Sequence, residues 1–435
     1  MASTYTSPDV LTGLFKEVYG DSQINLVPDN AKIQKKIPFV SRDKELGNKY
    51  HQNVIVSQEH GFSYASADAG AFALSDHVAM NTQDAYVQGS QILLRSALSY
   101  DAAARSSNGK KAFAKGTSMI VENMVESMAK RLEISMIYGQ ATGGLLNGTS
   151  AAASGSAVVI TAASGKWAPG IWAGAENARL AIAVSTNFFG PYYVSAVDFA
   201  NKTITVKSAV EANGQDAMTG TLSDIASATI AGVYFAGSVS TVANGSTGGG
   251  TAREMIGLDK MITTSGALFG ITNTTYALWA GNSVTVSGQL TMGKILSALG
   301  KPIAKGLDED VVAYVNPDTW ANLASDLSAL RSFDGSYSPE KGDNGIKSIV
   351  YYGQNGKIEV ISHSCIKDGD CFVIPVKRFK RVGAQDVSFK TPGREGEIFL
   401  HLPNNAGFEL RAYSDQALFP ESMAKCLKIS GFTNV

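Results

Sequence analysis

The clearest periodic pattern of the chain lies between residues 110 and 147. Apolar side chains recur there at four-residue spacing, and two valines widen the apolar face: Ile120, Met124, Met128, Leu132, Val121 and Val125. This spacing is typical of an amphipathic α-helix, so we predict a helix over Lys110–Tyr138 that reaches roughly 43 Å at about 1.5 Å per residue. Gly139 stands where a left-handed cap would end the helix, and Gly143 with Gly144 prevents its continuation.

The first hundred residues carry strand patterns but little apolar surface for a core. We predict two strands, His51–Gln58 and Tyr86–Ser96, separated by a flexible segment of small residues. A two-stranded ribbon of this kind is marginally stable alone. Residues 1–50 combine a short helical segment with charged, extended sequence. We therefore expect this part of the chain to find its apolar partners on other chains.

The middle of the chain changes in composition. From residue 151 to about 250, Ala, Ser, Thr, Gly and Val dominate, and the block ends in the flexible sequence Asn244–Gly250. We predict that a β-rich domain is inserted here. After it, Leu290–Leu299 and Pro317–Arg331 predict helices on either side of a strand at Val311–Val315, and the remaining C-terminal sequence predicts mainly strands. The predicted fold class is therefore α+β.

The composition favours a chain whose surface is covered by copies of itself. Of 435 residues, 44% are hydrophobic and only 17% are charged, and the formal net charge is −1. Such a surface suits a soluble monomer poorly, and it argues against a dedicated nucleic-acid binder. Three cysteines predict no disulfide framework and a reducing cytoplasm. The sequence has no signal-peptide pattern and no apolar stretch of about 18 residues, so we expect no membrane association.

No arrangement of residues in the sequence predicts catalysis. Gly288–Ile295 matches the spacing of a phosphate-binding loop, but Ile295 stands where a Ser or Thr must bind magnesium. An ordinary helix start is the better interpretation. The five histidines have no metal-binding spacing, and Cys365 and Cys371 lack a second pair of ligands. We therefore predict no enzyme activity and no catalytic, cofactor-binding or metal-binding residues.

Two groups of basic residues remain, Lys377–Arg381 and the lysines at positions 110, 111 and 115. Three interpretations are open. The first is salt bridges between subunits, the second is plain solvation of a strand and a helix end, and the third is contact with DNA phosphates. We favour salt bridges, because an assembly repeats each contact in every subunit.

Three segments, in order, resemble parts of one known family. RLEISMIYGQATGGLLN, at the end of the predicted long helix, resembles the spine helix and following turn of tailed-bacteriophage major capsid proteins, which have the HK97 fold. Val311–Ser325 resembles the strand, Asn-Pro, Trp and helix pattern of that family's axial domain. Ile358–Phe419 resembles the closing strands of its peripheral domain. Three matches in the expected order are more specific than any one of them.

The resemblance implies an HK97-like capsid fold within the α+β class. Its parts would be an N-terminal arm (1–50), an extended β-hairpin called the E-loop (51–100), the spine helix with the start of the peripheral domain (101–150), an inserted β-rich domain (151–250), the axial domain (251–345) and the remaining peripheral and axial strands (346–435). In the family the E-loop lies across an adjacent subunit. Some members cross-link an E-loop lysine to another subunit. Here no lysine occurs between Lys49 and Lys110, so we predict no such bond.

The resemblance also implies a structural function. We expect a major capsid protein that self-assembles into hexamers and pentamers of an icosahedral shell around double-stranded DNA. It would reside in the virion and assemble in the host bacterial cytoplasm. Its partners would be itself, portal and scaffolding proteins, cement or decoration proteins, and packaged DNA through weak non-specific contacts. Two alternatives stay open: an encapsulin-like compartment shell, and a β-rich surface or tail adhesion protein.

The residues predicted to contact neighbouring subunits are basic and aromatic side chains of the arm, the hairpin and the C-terminal basic group. They are Lys35, Lys36, Arg42, Phe62, Tyr64, Phe72, Arg95, Lys377, Arg378, Lys380 and Arg381. Obligate interfaces of this kind bury on the order of 2,000–5,000 Å² or more.

Overall fold

The computed structural model describes residues 31–41, 49–101, 116–208, 221–240, 251–325, 349–389, 399–402 and 405–434. The helices of this part of the chain, α1 to α7 in order, are Lys32–Lys36, Gly116–Tyr138, Pro169–Trp172, Leu222–Ile225, Leu258–Thr263, Met292–Ala304 and Pro317–Ser325. Short 3-10 turns lie at Ala277–Trp279 and Val376–Arg378.

The strands, β1 to β23 in chain order, form three large sheets and several two-stranded pairs. They are Phe39–Ser41, Tyr50–Ser57, Asn81–Val87, Ser90–Ser99, Gly148–Ser154, Ala157–Ala162, Arg179–Val184, Asn187–Asp198, Thr203–Ser208, Ile230–Phe235, Val239–Ser240, Thr251–Ala252, Ala267–Leu268, Ile271–Thr272, Asn282–Thr285, Val311–Val315, Ile349–Tyr352, Lys357–Ser362, Asp370–Ile374, Phe379–Ser388, Phe399–His401, Gly407–Pro420 and Leu427–Ser430. The mixture of helices and strands confirms the predicted α+β class.

Helix α2 is the longest helix of the described residues. Met124, Met128 and Leu132 are buried at the predicted four-residue spacing, whereas Val125, predicted on the apolar face, is exposed. From Leu132 to Tyr138 every residue is buried, so this half of the helix lies inside the molecule. Its 23 residues span roughly 34 Å. The predicted start at Lys110 lies outside the described residues.

The end of α2 differs from the prediction. Gly139 is not left-handed. The left-handed residues are Gln140, at φ 57°, and then Gly143 and Gly144, at φ 84° and 54°. Gly139 is required for another reason, because a Cβ there would overlap the backbone of Met255. The turn after α2 is therefore packed directly against the segment that leads into α5.

The first large sheet has the order β1-β20-β22-β21, with β4 paired to β22 as well. Strand β1 is parallel to β20, and the other pairs are antiparallel. The 14-residue β22 is its central strand. Burial alternates along β4 because successive side chains of a strand point to opposite faces. This sheet joins the arm strand, the strand before α2 and C-terminal strands.

The second large sheet is antiparallel and has the order β10-β7-β8-β9-β6-β5. Its residues come from the Ala-, Ser-, Thr-, Gly- and Val-rich part of the sequence, where strands were predicted. The sheet shares its apolar core with α2 through residues such as Ile160, Ile182 and Val206. The sheet and the long helix therefore form one apolar core, and the described residues of the sheet have no core of their own.

The third large sheet has the order β15-β23-β19-β16-β18-β17 and mixes parallel with antiparallel pairs. Helices α6 and α7 pack on it and form a second apolar core with residues such as Ile295, Val315 and Leu323. Leu323 of α7 is buried and Trp320 packs against the core. The predicted continuation of α7 to Arg331 lies outside the described residues.

Strands β2 and β3 form a separate two-stranded hairpin, with Tyr50 opposite Val87. The prediction of a single return strand over Tyr86–Ser96 was wrong. The partner of β2 is Asn81–Val87, and Ser90–Ser99 belongs to the first sheet. The two strands separate because β4 pairs along its whole length with β22. Residues 58–80 form the tip of the hairpin.

Candidate assembly surfaces

The hairpin tip, residues 58–80, is exposed throughout except at Ser63. Its large apolar side chains are open to solvent: Phe62 65%, Tyr64 89%, Phe72 50%, Leu74 79%, Val78 51% and Met80 49%. Phe62, Tyr64 and Phe72 were predicted to contact neighbouring subunits. A soluble monomer rarely exposes a contiguous apolar surface of this kind, so the tip has the character of an interface.

The base of the hairpin is fixed to the body of the molecule. Tyr50 is buried, and its ring lies edge-on to Phe419 with 5.3 Å between the centroids. The backbone N–H of Tyr86 donates to the carbonyl of Phe269 at 2.9 Å, and Gly270 leaves room for the Tyr86 ring. The hairpin thus projects an unpacked apolar tip from an anchored base.

A buried carboxylate attaches the described part of the arm to α2. Glu133 of α2 is fully buried and accepts hydrogen bonds from the backbone N–H groups of Ile33, at 2.5 Å, and Gln34, at 2.9 Å. Its Oε1 also lies 2.7 Å from Nε2 of His363. Because the N–H of Cys365 donates to Nδ1 of His363 at 3.1 Å, the ring proton of the neutral imidazole is on Nε2 and points to Glu133.

Two predicted contact residues of the arm lie on its outer side. Lys35 and Lys36 are both exposed. The Lys36 ammonium lies 2.9 Å from the Glu359 carboxylate, where both side chains are partly open to solvent. An exposed pair of this kind contributes little to stability, so the cation stays accessible. Arg42 lies outside the described residues.

Arg95 forms a two-pronged ion pair within its own chain. Its Nε and Nη2 lie 2.7 and 3.2 Å from the Glu409 carboxylate, and Arg411 Nε approaches the same group at 2.7 Å. Hydrogen bonds from Arg411 and Arg95 hold the pKa of Glu409 below its usual value. The Arg95 side chain remains 65% exposed, so its outer face is open to another molecule.

The C-terminal basic group divides into an outer and an inner part. Lys377 and Arg378 are exposed and Lys380 is half-buried. Arg378 lies 3.1 Å from Glu309, and Lys380 lies 2.5 Å from Glu421. Both pairs are within the chain.

Arg381 was predicted to contact a neighbouring subunit, and the structure contradicts this prediction. It is buried, and its guanidinium donates to the carbonyl of Ile37 at 2.9 Å and to Oε1 of Gln416 at 3.1 Å. Asp386 pairs with it at 3.2 Å. Alternation along β20 turns Arg381 to the opposite face from Lys380, so it faces the arm of its own chain.

A buried polar junction that the sequence pattern did not predict lies at the end of α2. The Lys367 ammonium donates to the carbonyl of Gly144 at 2.7 Å and lies 4.3 Å from the centre of the Tyr138 ring. Tyr138 donates to Asp370 at 3.4 Å, and Lys428 lies 3.6 Å from Asp370. Burial lowers the pKa of Lys367 to about 8. The feature of the sequence that could have indicated this junction is the presence of charged residues within apolar stretches. Glu133, within the apolar part of its helix, is the same kind of feature.

The segment with phosphate-loop spacing is a helix start, as predicted. Thr291 caps α6 by accepting from the N–H of Lys294, and the Lys294 ammonium donates to the carbonyl of Ser287 at 2.8 Å. The lysine is thus occupied by the loop that precedes its own helix. Among the described residues, no group of three or more His, Cys, Asp or Glu side chains is placed to hold a metal ion. In the same part of the chain, no helix combines the length and apolar character that crossing a bilayer requires.

No protein-family model matches the sequence, and no curated protein matches it. Solved structures do match. The capsid of Cyanophage A-1(L) superposes with a TM-score of 0.54 at 10% identity, over 98% of this chain and 100% of that chain. The capsid of a native GTA particle gives 0.51 at 10% identity, over 98% and 99%. The SrpI encapsulin complex of Synechococcus elongatus gives 0.44 at 9% identity, over 99% and 97%.

Identity at this level establishes the fold alone. The chain has the α+β fold of these two capsid proteins over nearly its whole length, as the resemblance of its sequence implied.

Proposed function

We propose that this chain is a major capsid protein, a structural protein that assembles into hexamers and pentamers of an icosahedral shell around double-stranded DNA. The observation that carries the proposal is the hairpin tip, whose large apolar side chains have no core in their own chain. Burial of apolar surface against a neighbouring copy contributes about 25 cal/mol per Å² to the free energy of association. Assembly of many copies therefore stabilises a segment that is costly to expose in the monomer. The shared capsid-protein fold supports the same function.

The parts of the fold take their proposed roles from this function. Residues 1–50 act as the N-terminal arm, 51–100 contain the E-loop with the tip at its end, 101–150 contain the spine helix, 151–250 form the inserted β-rich domain, 251–345 contain the axial domain and 346–435 supply the remaining peripheral and axial strands. In this assignment the first large sheet and α2 belong to the peripheral domain, and the third large sheet with α6 and α7 belongs to the axial domain. The anchored base of the hairpin supports the E-loop role.

The proposed partners follow from a shell. They are other copies of this chain, portal and scaffolding proteins, cement or decoration proteins, and packaged DNA through weak non-specific contacts. The proposed contact residues with described, solvent-accessible side chains are Lys35, Lys36, Phe62, Tyr64, Phe72, Arg95, Lys377, Arg378 and Lys380. Assembly is proposed in the host cytoplasm and residence in the virion.

Electron microscopy of the expressed protein tests this function. We expect closed shells or capsomers that sediment far faster than a 45.8 kDa monomer. A tip variant with Phe62→Ser, Tyr64→Ser and Phe72→Ser should remain as slowly sedimenting subunits. Its matched control is Tyr352→Ser, which removes an aromatic ring that is 78% exposed on the edge strand β17. A wild-type protein that stays monomeric at high concentration would contradict the proposal.

The contents of natural particles separate this function from an encapsulin-like compartment. A capsid from the natural source should contain double-stranded DNA that nuclease reaches only after the shell is opened. Particles that enclose an enzyme and no DNA would support the compartment instead. A surface adhesion protein would form neither kind of particle.

A further inference from the structure

One long segment of the chain contains no carboxylate side chain. Between Asp259 and Asp308 the sequence has four lysines and no Asp, Glu, Arg or His. Three of these lysines belong to α6 and its C-terminal cap, namely Lys294, Lys301 and Lys305. The whole chain has a net charge of −1, so its average charge conceals a positive excess in this segment.

The three lysines lie on one face of α6. They are seven and four positions apart, and such positions fall on the same side of a helix with about 3.6 residues per turn. Their ammonium groups all donate to backbone carbonyls of residues 280–289, the stretch that contains β15. The pairs are Lys294 with Ser287, at 2.8 Å, and Gln289, Lys301 with Ser283, at 3.5 Å, and Lys305 with Ala280, at 3.1 Å.

These contacts cover one edge of the third large sheet but leave donors over. Strand β15 is the last strand of that sheet and pairs with β23 on its inner side. Lysines at such an edge discourage the addition of another strand. An ammonium group has three N–H donors, and Lys301 and Lys305 each use one of them on a carbonyl. The other N–H groups can therefore bind a ligand while the carbonyls hold the two side chains in place.

Lys301 and Lys305 lie close enough to repel each other. Burial and the charge of Lys301 lower the pKa of Lys305. Glu421 lines a small cavity together with Lys305, but its carboxylate is paired with Lys380 and Arg378. An anion supplied by another molecule would relieve this repulsion, so the surface is suited to an anionic partner.

Hydroxyl and amide side chains adjoin the lysines. Ser283, Thr285, Ser287 and Gln289 alternate along the stretch whose carbonyls the lysines contact, and all four are exposed. Lysine, serine, threonine and glutamine side chains are among those that contact phosphate and sugar in protein–DNA complexes. The composition of the surface therefore matches a phosphodiester backbone.

The length of the lysine face favours a repeating polyanion over an acidic protein segment. From Lys294 to Lys305 the helix rises roughly 16 Å, at about 1.5 Å per residue. Duplex DNA carries one negative charge per about 1.7 Å of its axis. A duplex lying along α6 presents phosphates to all three lysines in any register, whereas a protein segment needs carboxylates at three matching positions.

We propose that the lysine face of α6, with the exposed side chains of residues 283–289, contacts the phosphate backbone of the packaged DNA. The contact neutralises phosphates and releases their counterions, and it reads no base sequence. The inference rests on the proposed shell function and specifies the surface that meets the DNA.

Chemical labelling of lysines in particles from the natural source tests the contact. DNA-filled and emptied particles are treated with a small amine-acylating reagent, and mass spectrometry of the peptides measures the label on each lysine. We expect Lys294, Lys301 and Lys305 to react severalfold more slowly in filled particles than in emptied ones. Lys357 is an exposed lysine of another strand, β18, and should react equally in both.

The labelling separates this inference from the proposed function. Equal reaction of Lys301 in filled and emptied particles would overturn the DNA contact and leave the shell function standing. Slow reaction in both would show that a neighbouring subunit covers the surface. Particles that contain no DNA would instead contradict the proposed function itself.

DNA binding by dissociated full-length subunits is a second test, which needs no particles. Affinity for a short fluorescent duplex is measured at several salt concentrations. The combined variant Lys294→Gln, Lys301→Gln and Lys305→Gln should make the slope of log K against log salt shallower by about 2.7, because each phosphate contact contributes about 0.9. Two duplexes of unrelated sequence should bind the wild-type subunit with the same affinity.

A matched variant controls for the loss of charge. Lys49→Gln, Lys207→Gln and Lys357→Gln together remove the same charge from solvent-accessible lysines elsewhere in the chain, and should change the slope by less than about 0.9. Equal slopes for the two triple variants would overturn the proposed surface. A clear preference of the wild-type subunit for one duplex would overturn a contact limited to the phosphate backbone.

Discussion

Glu133 and His363 form a fully buried pair between the long helix and the loop after β18, with 2.7 Å between Oε1 and Nε2. The same carboxylate accepts hydrogen bonds from the backbone N–H groups of Ile33 and Gln34 in the first turn of α1. One side chain therefore joins the arm, the long helix and the third large sheet. A buried carboxylate with this many donors is stabilising only while each donor keeps its acceptor.

Replacing Glu133 with Gln should loosen the arm. The amide has one acceptor oxygen, and its NH₂ group would face N–H donors, so at least one buried donor loses its partner. We expect the free energy of unfolding to fall by about 1–3 kcal/mol, and hydrogen exchange at Ile33 and Gln34 to accelerate. Glu122→Gln, on the exposed side of the same helix, should change neither quantity. Unaltered exchange at Ile33 and Gln34 in the Glu133→Gln protein would show that the carboxylate does not hold the arm.

Substitution of Arg381 and of Lys377 should change the stability of the protein to different extents, although the two residues lie four positions apart in one basic group. Arg381→Met leaves the carbonyl of Ile37 and the side chain of Gln416 without their donor, and we expect a loss of about 2–3 kcal/mol in stability. Lys377→Ala removes an exposed side chain and should stay within about 0.5 kcal/mol of wild type. Denaturant unfolding of dissociated subunits measures both. Similar small effects would contradict the internal role of Arg381.

Glu254 predicts a specific pH dependence of stability. Its pKa is raised from 4.5 to about 7 by burial, so the folded state binds this proton more tightly than the unfolded state. The stabilisation of the folded state by this bound proton is complete below pH 4.5 and is lost as the pH rises to about 7. Between pH 4.5 and 7.5, wild-type subunits should lose on the order of 3 kcal/mol relative to Glu254→Gln. A stability difference between the two proteins that is constant with pH would contradict this account.

Local pattern predicted the elements better than it predicted their partners. The four-residue spacing of Met124, Met128 and Leu132 identified the long helix, since that periodicity depends on the helix alone. The return strand of the hairpin was misplaced, because pairing of β4 with β22 is decided by residues more than 300 positions away in the sequence. A local pattern does not contain such contacts.

The candidate contact residues likewise divide into those that the local sequence could predict and those that depend on distant contacts. The exposed aromatic residues of the tip could be proposed from sequence, because the segment around them lacks the apolar density of a core. Arg381 was misassigned because a KRFKR sequence does not reveal which face of the strand is covered by the arm. The roles of Glu133 and Lys367 depend on distant carbonyl and N–H groups, so only the packed structure reveals them.

The absence of lysine between Lys49 and Lys110 predicts a shell without lysine cross-links from the hairpin. Denatured particles should give intact chains of 45.8 kDa on a gel and by mass spectrometry. Chains joined through an amide bond to a residue of the hairpin would contradict this prediction.

Hydrogen exchange at residues 58–80 tests the central claim most directly, because it asks whether the hairpin tip is packed by other chains. The exchange of this segment is compared in assembled particles and in dissociated subunits at the same pH and temperature. We predict fast exchange in subunits and strong protection in particles, since the tip is exposed in its own chain. Protection that is already complete in the subunit, or fast exchange that persists in the particle, would contradict the account.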